Sequence, residues 1–93
     1  MIICIDFDGT YTADPILWNH FIETAKSHGH DVVCATMRYP TENDPIETLL
    51  EGRVSEIIYT CRKAKKEYVT THLGKKPDIW IDDNPDWLYE DAL

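Results

Sequence analysis

Within its first ten residues the chain passes from an apolar run into a pair of carboxylates and a tight turn: Ile2-Ile3-Cys4-Ile5-Asp6-Phe7, then Asp8-Gly9-Thr10. A short, nearly unbroken apolar run over residues 2–7 is the pattern of a strand covered on both faces, as in a parallel sheet. Parallel neighbours cannot be joined by a hairpin, so such a chain must supply a crossover after each strand. Asp14 reads as a helix N-cap with Pro15 in the first helical position. Ile16, Leu17, Phe21, Ile22 and Ala25 recur at helical spacing up to His28-Gly29-His30, where Gly29 reads as a stop. A second strand follows over 32–36. Residues 37–45 carry Pro40, Asn43, Asp44 and Pro45 and read as a loop, before a short helix over 46–50 that ends near Gly52. A third strand lies around Val54 to Thr60. Lys63 to Leu73 reads as an amphipathic helix with Ala64, Tyr68, Val69 and Leu73 on one side, closed by Gly74. Pro77 precedes a fourth strand, Ile79-Trp80-Ile81, which runs into Asp82-Asp83, and Asn84-Pro85 opens a last short helix with Trp87 and Leu88. Regular alternation with right-handed crossovers predicts an α/β fold, a parallel sheet with helices on both faces.

At 93 residues there is room for one modest core, so a single domain over 1–93 is expected and a separate substrate domain is excluded. No apolar stretch is long enough to span a membrane, and Met1 leads into Ile2, Ile3 and Cys4 without the zones of a signal peptide, so a cytoplasmic location is expected. Cys4, Cys34 and Cys61 fit neither a disulfide framework nor a metal clasp and read as reduced core fillers. The net charge of −8 gives no general attraction for phosphodiester backbones. His20, His28, His30 and His72 show no ligand grouping. Trp18, Trp80 and Trp87 read as packing residues, Trp18 also lying where it can line an entrance after the first turn.

The chemistry concentrates at the strand ends, where open parallel sheets bind ligands. Residues i and i+2 of a strand point the same way, so Asp6 and Asp8 can both face the space above the sheet. Together with Asp82 and Asp83 they place four carboxylates at two strand ends, an arrangement that repels itself unless a cation is bound. Oxygen ligands suit a hard divalent ion, Mg²⁺ where phosphate is the substrate. Gly9 lets the backbone turn sharply beside it.

With these residues in order, the chain resembles the haloacid dehalogenase (HAD) superfamily of phosphatases. Asp6-Phe7-Asp8-Gly9-Thr10 matches the first motif, DxDGT. Thr36 after an apolar strand matches the second, a lysine at the start of the next helix the third, and Asp82-Asp83 the DD form of the fourth. The resemblance spans essentially the whole chain and implies a three-layer Rossmann-like fold with strand order 4-1-2-3. It also implies roles: Asp6 as nucleophile; Asp8 as general acid and base; Mg²⁺ held by Asp6, the Asp8 backbone carbonyl and the Asp82-Asp83 pair. Thr36 would bind a phosphoryl oxygen with backbone N–H groups around Phe7 and Met37, in a substrate pocket that also takes in Thr10, Arg38 and the lysine. Among Lys63, Lys65 and Lys66, the apolar spacing of family helices favours Lys65. DD members usually bind metal through the second acid, favouring Asp83, although Asp82 and Asp86 have the spacing of a GDxxxD variant.

Family members often carry an inserted cap domain. Only about 25 residues separate the first motif from Thr36, enough for a turn and one helix, so the resemblance is to the capless subclass, with an open site. No fifth edge strand is expected, and exposed edges favour pairing or a homodimer. The expected activity is phosphomonoester hydrolysis, on a small molecule or a macromolecular end. A 5′-nucleotidase or polynucleotide-end phosphatase is the nearest rival. A phosphoacceptor signalling module is a second class, although receivers place their acidic pair at the first strand, the reverse of the order here. A binding protein with a residual site is a third.

Overall fold

The computed structural model describes residues 1–41 and 44–92. The chain is an α/β fold built on a four-stranded, all-parallel sheet: β1 (Ile2–Asp6), β2 (Asp31–Thr36), β3 (Glu56–Tyr59) and β4 (Ile79–Ile81). The crossovers carry α1 (Pro15–Ser27), α2 (Pro45–Leu50) and α3 (Lys65–Leu73), and short 3-10 turns occupy Tyr11–Ala13 and Pro85–Leu88. Strand order is β3-β2-β1-β4, which is the row β4-β1-β2-β3 seen from the opposite edge. The loop expected over 37–45 includes Glu42 and Asn43, which lie outside the described residues, and Pro45 already belongs to α2. Between β1 and α1 the chain inserts only the 3-10 turn.

Alternation along β1 and β2 sorts the core into two layers. Ile3, Ile5, Val32 and Cys34 join Ile22 and Ala25 of α1 and Ile46 and Leu50 of α2 on one face. Cys4, Val33 and Ala35 join Ile58 and Val69 of α3 on the other. Helix α1 begins as expected, with Asp14 Oδ1 accepting from the Leu17 N–H at 3.2 Å and Pro15 in the first turn. Its inward stripe differs from the expected one. Trp18, Phe21, Ile22 and Ala25, at i, i+3, i+4 and i+7, pack on the sheet, whereas Ile16 and Leu17 are exposed because the first turn overhangs the core. Helix α3 starts at Lys65 rather than Lys63, and its inward line is Lys65, Val69 and half-buried Leu73, with Tyr68 turned outward. The expected last helix is the 3-10 turn, which buries Leu88. Cys4 and Cys34 fill the core, and burial pushes the Cys4 thiol up to about 12. Cys61 does not: it sits half-buried in the turn after β3 at φ +53°.

Ile22, fully buried, should lose about 2–5 kcal/mol of stability as Ile22→Ala, through lost transfer energy and a residual cavity. Ile16→Ala, at a position 73% exposed, should change stability by less than about 0.5 kcal/mol. Urea unfolding of the two variants checks the assignment; similar losses would refute the inward stripe.

Candidate functional site

Strand register sets the first two carboxylates. Ile5 pairs with Ile81, so Asp6 and Asp82 leave the sheet side by side. Alternation puts Asp6 on the face of Cys4 and Asp82 on the face of Trp80, the side covered by α3. There Lys65, one turn before Val69 on the same inward line, reaches both. Its Nζ donates to Asp6 Oδ1 at 2.6 Å and to Asp82 Oδ2 at 2.7 Å, and all three side chains are less than a tenth exposed. Of the three candidate lysines Lys65 alone occupies this position: Lys63 lies 3.8 Å from Asp91, and Lys66 sits over the Tyr89 ring.

Asp83 has the opposite parity and reaches toward the first loop. Its backbone N–H donates to Thr10 Oγ1 at 3.0 Å, and the same hydroxyl stands 3.0 Å from Asp83 Oδ1 and 3.1 Å from Asp6 Oδ2. One hydroxyl hydrogen cannot fully serve two carboxylates. Gly9 makes this approach feasible. It holds φ +82°, and a Cβ there would lie 2.6 Å from Asp83 Oδ2. Asp6, Asp82 and Asp83 each offer an oxygen within 4.8 Å of the others, the first two bonded to Lys65 and the third, exposed, held by Thr10. Burial pushes Asp6 up to about 6 against the pull of Lys65, and Asp82 and Asp83 add to the rise. Lys65 is raised despite burial by its bonds to Asp6 and Asp82. An under-satisfied, all-oxygen set with excess negative charge fits a hard divalent cation, and Asp6, Asp82 and Asp83 are the residues that could hold it.

The expected group of four side-chain carboxylates is thus three. Asp8 turns instead to Arg38, which donates from Nε to Oδ2 at 2.8 Å and from Nη2 to Oδ1 at 2.7 Å. Hydrogen bonding to that guanidinium lowers the Asp8 pKa below its ordinary value. Thr36 is buried at the end of β2, its Oγ1 accepting from the Arg38 N–H at 3.3 Å. Phe7 is buried too, its ring stacked on Tyr11 at 5.7 Å and beneath the Arg38 guanidinium at 5.5 Å. Met37 joins Asp6, Asp8, Lys65, Asp82 and Asp83 around a cleft of about 260 Å³. A larger hollow, about 490 Å³, on the outer side of α3 contains none of these strand-end residues.

The sequence reading missed part of the cleft wall. Trp87 and Asn84, in the turn after β4, line it, whereas Trp18 packs edge-on against Phe21 in the core layer of α1. Arg62 lines it as well, at φ +67° directly after Cys61. The signal for Trp87 was its place four residues beyond a strand end carrying carboxylates. For Arg62 there was none.

Compared with protein-family models, with curated proteins and with solved structures, the chain gives no match.

Gly29 also holds a left-handed conformation, φ +86°, but a Cβ there meets nothing within 4 Å. Gly29→Ala should therefore cost only backbone strain, about 1–2 kcal/mol, and Gly9→Ala clearly more, because Asp83 must move. Equal losses on urea unfolding would show that Asp83 is not held against Gly9. The Lys65 pairs have a pH signature. Asp6 ionises less readily folded than unfolded, so its ionisation opposes folding: the cost is absent well below its ordinary 3.8, grows as pH rises toward about 6, and is complete above. Lys65→Met leaves two buried carboxylates without their cation and should lose about 3–5 kcal/mol at neutral pH, much of it regained at acidic pH where they are protonated. Unfolding in chelator at both pH values tests this; a pH-independent loss would refute it.

Proposed function

We propose that the chain is a Mg²⁺-dependent phosphomonoester hydrolase, a capless phosphatase of the HAD type that works through an aspartyl-phosphate on Asp6. One observation carries the reading: Asp6 is buried at the end of β1, 2.6 Å from the Lys65 ammonium, with Asp82 and Asp83 oxygens within 4.8 Å. A structural ion pair needs one carboxylate; here two share one lysine and a third stands beside them at an open cleft, a set that suits a further cation. The order of motifs from Asp6-Phe7-Asp8-Gly9-Thr10 through Thr36 and Lys65 to Asp82-Asp83 supports the same reading.

When bound by Asp6, Asp82, Asp83 and the Asp8 carbonyl, Mg²⁺ would supply Lewis-acid neutralisation of the phosphoryl oxygens. The chain's own residues do the rest. Lys65 keeps Asp6 ionised and in place, the state in which a carboxylate oxygen attacks phosphorus. That bond forms as the ester P–O bond breaks, and Asp8, once parted from Arg38 and protonated from solvent, gives that proton to the departing alkoxide. Asp8 then takes a proton from water, whose oxygen attacks the aspartyl-phosphate and releases phosphate and free Asp6. Thr36 and Arg38, at the end of β2, would bind phosphoryl oxygens.

The purified protein should hydrolyse para-nitrophenyl phosphate with Mg²⁺ and lose the activity in chelator. Asp6→Asn should lower kcat by at least about 10³-fold. Asp8→Ala should slow turnover by about 10²–10⁴-fold while Mg²⁺ affinity persists, since the ligand there is a backbone carbonyl. Metal-independent hydrolysis, or turnover that survives Asp6→Asn, would sink the mechanism.

A further inference from the structure

Asp8 and Arg38, thirty residues apart, meet in a two-pronged pair, Nε to Oδ2 at 2.8 Å and Nη2 to Oδ1 at 2.7 Å. The rest of the arginine is anchored elsewhere. Its backbone N–H is tied to Thr36 Oγ1, and its guanidinium lies over the Phe7 ring. Nη1 stands 3.6 Å from Asp44 Oδ2, and Asp44 is itself buried and fixed by the Ile46 N–H at 2.9 Å. The base and one flank are therefore held, and the Nε–Nη2 edge is the one that Asp8 occupies.

That edge is a planar fork, the shape that matches two oxygens of a phosphoryl group as well as it matches a carboxylate. Asp8, meanwhile, cannot serve a leaving oxygen while both its own oxygens are engaged. Resting on the phosphatase reading, we infer that the two partners exchange: Arg38 holds Asp8 aside in the resting chain, and a phosphoryl dianion takes over the fork and releases Asp8, which takes up a proton from solvent and passes it to the leaving group. Charge sets the direction, because a dianion brings about twice the charge of a carboxylate to the same donors. The displaced pair is open to water. Its side chains are 39% and 52% exposed, so solvent screens the pair and can hydrate either partner on parting. The Lys65 pairs, less than a tenth exposed, do not exchange this way. Arg38 thereby selects monoesters: a diester carries only one negative charge and displaces Asp8 less readily.

The experiment follows the Arg38 Nε–H signal and the Asp8 carboxyl carbon by NMR in the full-length chain with Mg²⁺ at pH 8, titrating inorganic phosphate and, separately, dimethyl phosphate. Phosphate should move both signals with the midpoint of the Thr36 and Lys65 signals, and the Asp8 carboxyl should end where it lies in Arg38→Gln. Dimethyl phosphate should require at least about tenfold higher concentration. Arg38→Lys, which keeps the charge and loses the fork, should weaken phosphate binding by about tenfold with Mg²⁺ affinity unchanged. Saturation at Thr36 and Lys65 with Arg38 and Asp8 unmoved would overturn the exchange and leave the phosphatase reading standing, as would undiminished phosphate binding in Arg38→Lys. No phosphate response at Thr36 or Lys65 would overturn both.

Discussion

The Lys65 ammonium, held between Asp6 and Asp82, is the point on which the arrangement of the strand ends depends. It ties together β1, β4 and α3, elements 59 and 17 residues apart along the chain. Helix α3 is only nine residues long and has one fully buried apolar side chain, Val69, so its seating on the sheet relies on the lysine as well as on packing. Buried ion pairs seldom add much net stability, since desolvating the charges offsets their attraction, and an apolar replacement is often as good. What such a pair supplies is position. Here it fixes two buried carboxylates side by side, with a third, exposed one brought up by Thr10. Two buried carboxylates share that one ammonium, more than a simple ion pair needs.

Several parts of this were readable before any coordinates. The apolar run ending at Asp6, the Asp14-Pro15 helix start and the second acidic strand end at Asp82-Asp83 are local signals, and each element formed where its residues indicated. Lys65 stood out among three neighbouring lysines only through the spacing of family helices; residues 65, 69 and 73, at i, i+4 and i+8, then form the inward line of α3. Other features had no local signal. A 3.6-residue period admits more than one stripe, and which turn of α1 overhangs the sheet is decided by where α1 lies on the sheet; Ile16 and Leu17 were misread for that reason. That Asp6 and Asp82 adjoin follows only from the pairing of Ile5 with Ile81. The turn of Asp8 away from the other acids follows from an arginine thirty residues distant, which no spacing rule connects to it.

The strand ends are covered by loops rather than by an inserted element, and the loop after β3 shows how such a rim is held. Cys61 and Arg62 both adopt positive φ, at φ +53° and +67°, a conformation that costs a non-glycine residue about 1–3 kcal/mol. Hydrogen bonds from the Thr60 N–H to the Thr36 carbonyl at 2.8 Å and from the Arg62 N–H to the Met37 carbonyl at 2.9 Å lock the loop to the end of β2. On its other side the Ala92 N–H donates to the Arg62 carbonyl at 2.7 Å, Arg62 Nε returns a bond to the Ala92 carbonyl at 3.0 Å, and Asp91 accepts from the Ala64 N–H at the start of α3.

Two kinds of ionic contact therefore meet at one cleft, and their burial decides what each can do. The Lys65 pairs are dry, so any rearrangement leaves a bare charge in the interior, and they behave as framework. The Arg38–Asp8 pair is wet, so either partner can part from the other with water to replace it, and it behaves as a contact that an incoming anion can compete for. A site with a separate closing domain can couple substrate arrival to a large motion that completes the catalytic group. The loop after β3 is locked by backbone hydrogen bonds, so on the proposed reading any coupling lies in side chains, and an exposed two-pronged pair anchored from behind by a buried aspartate is suited to it.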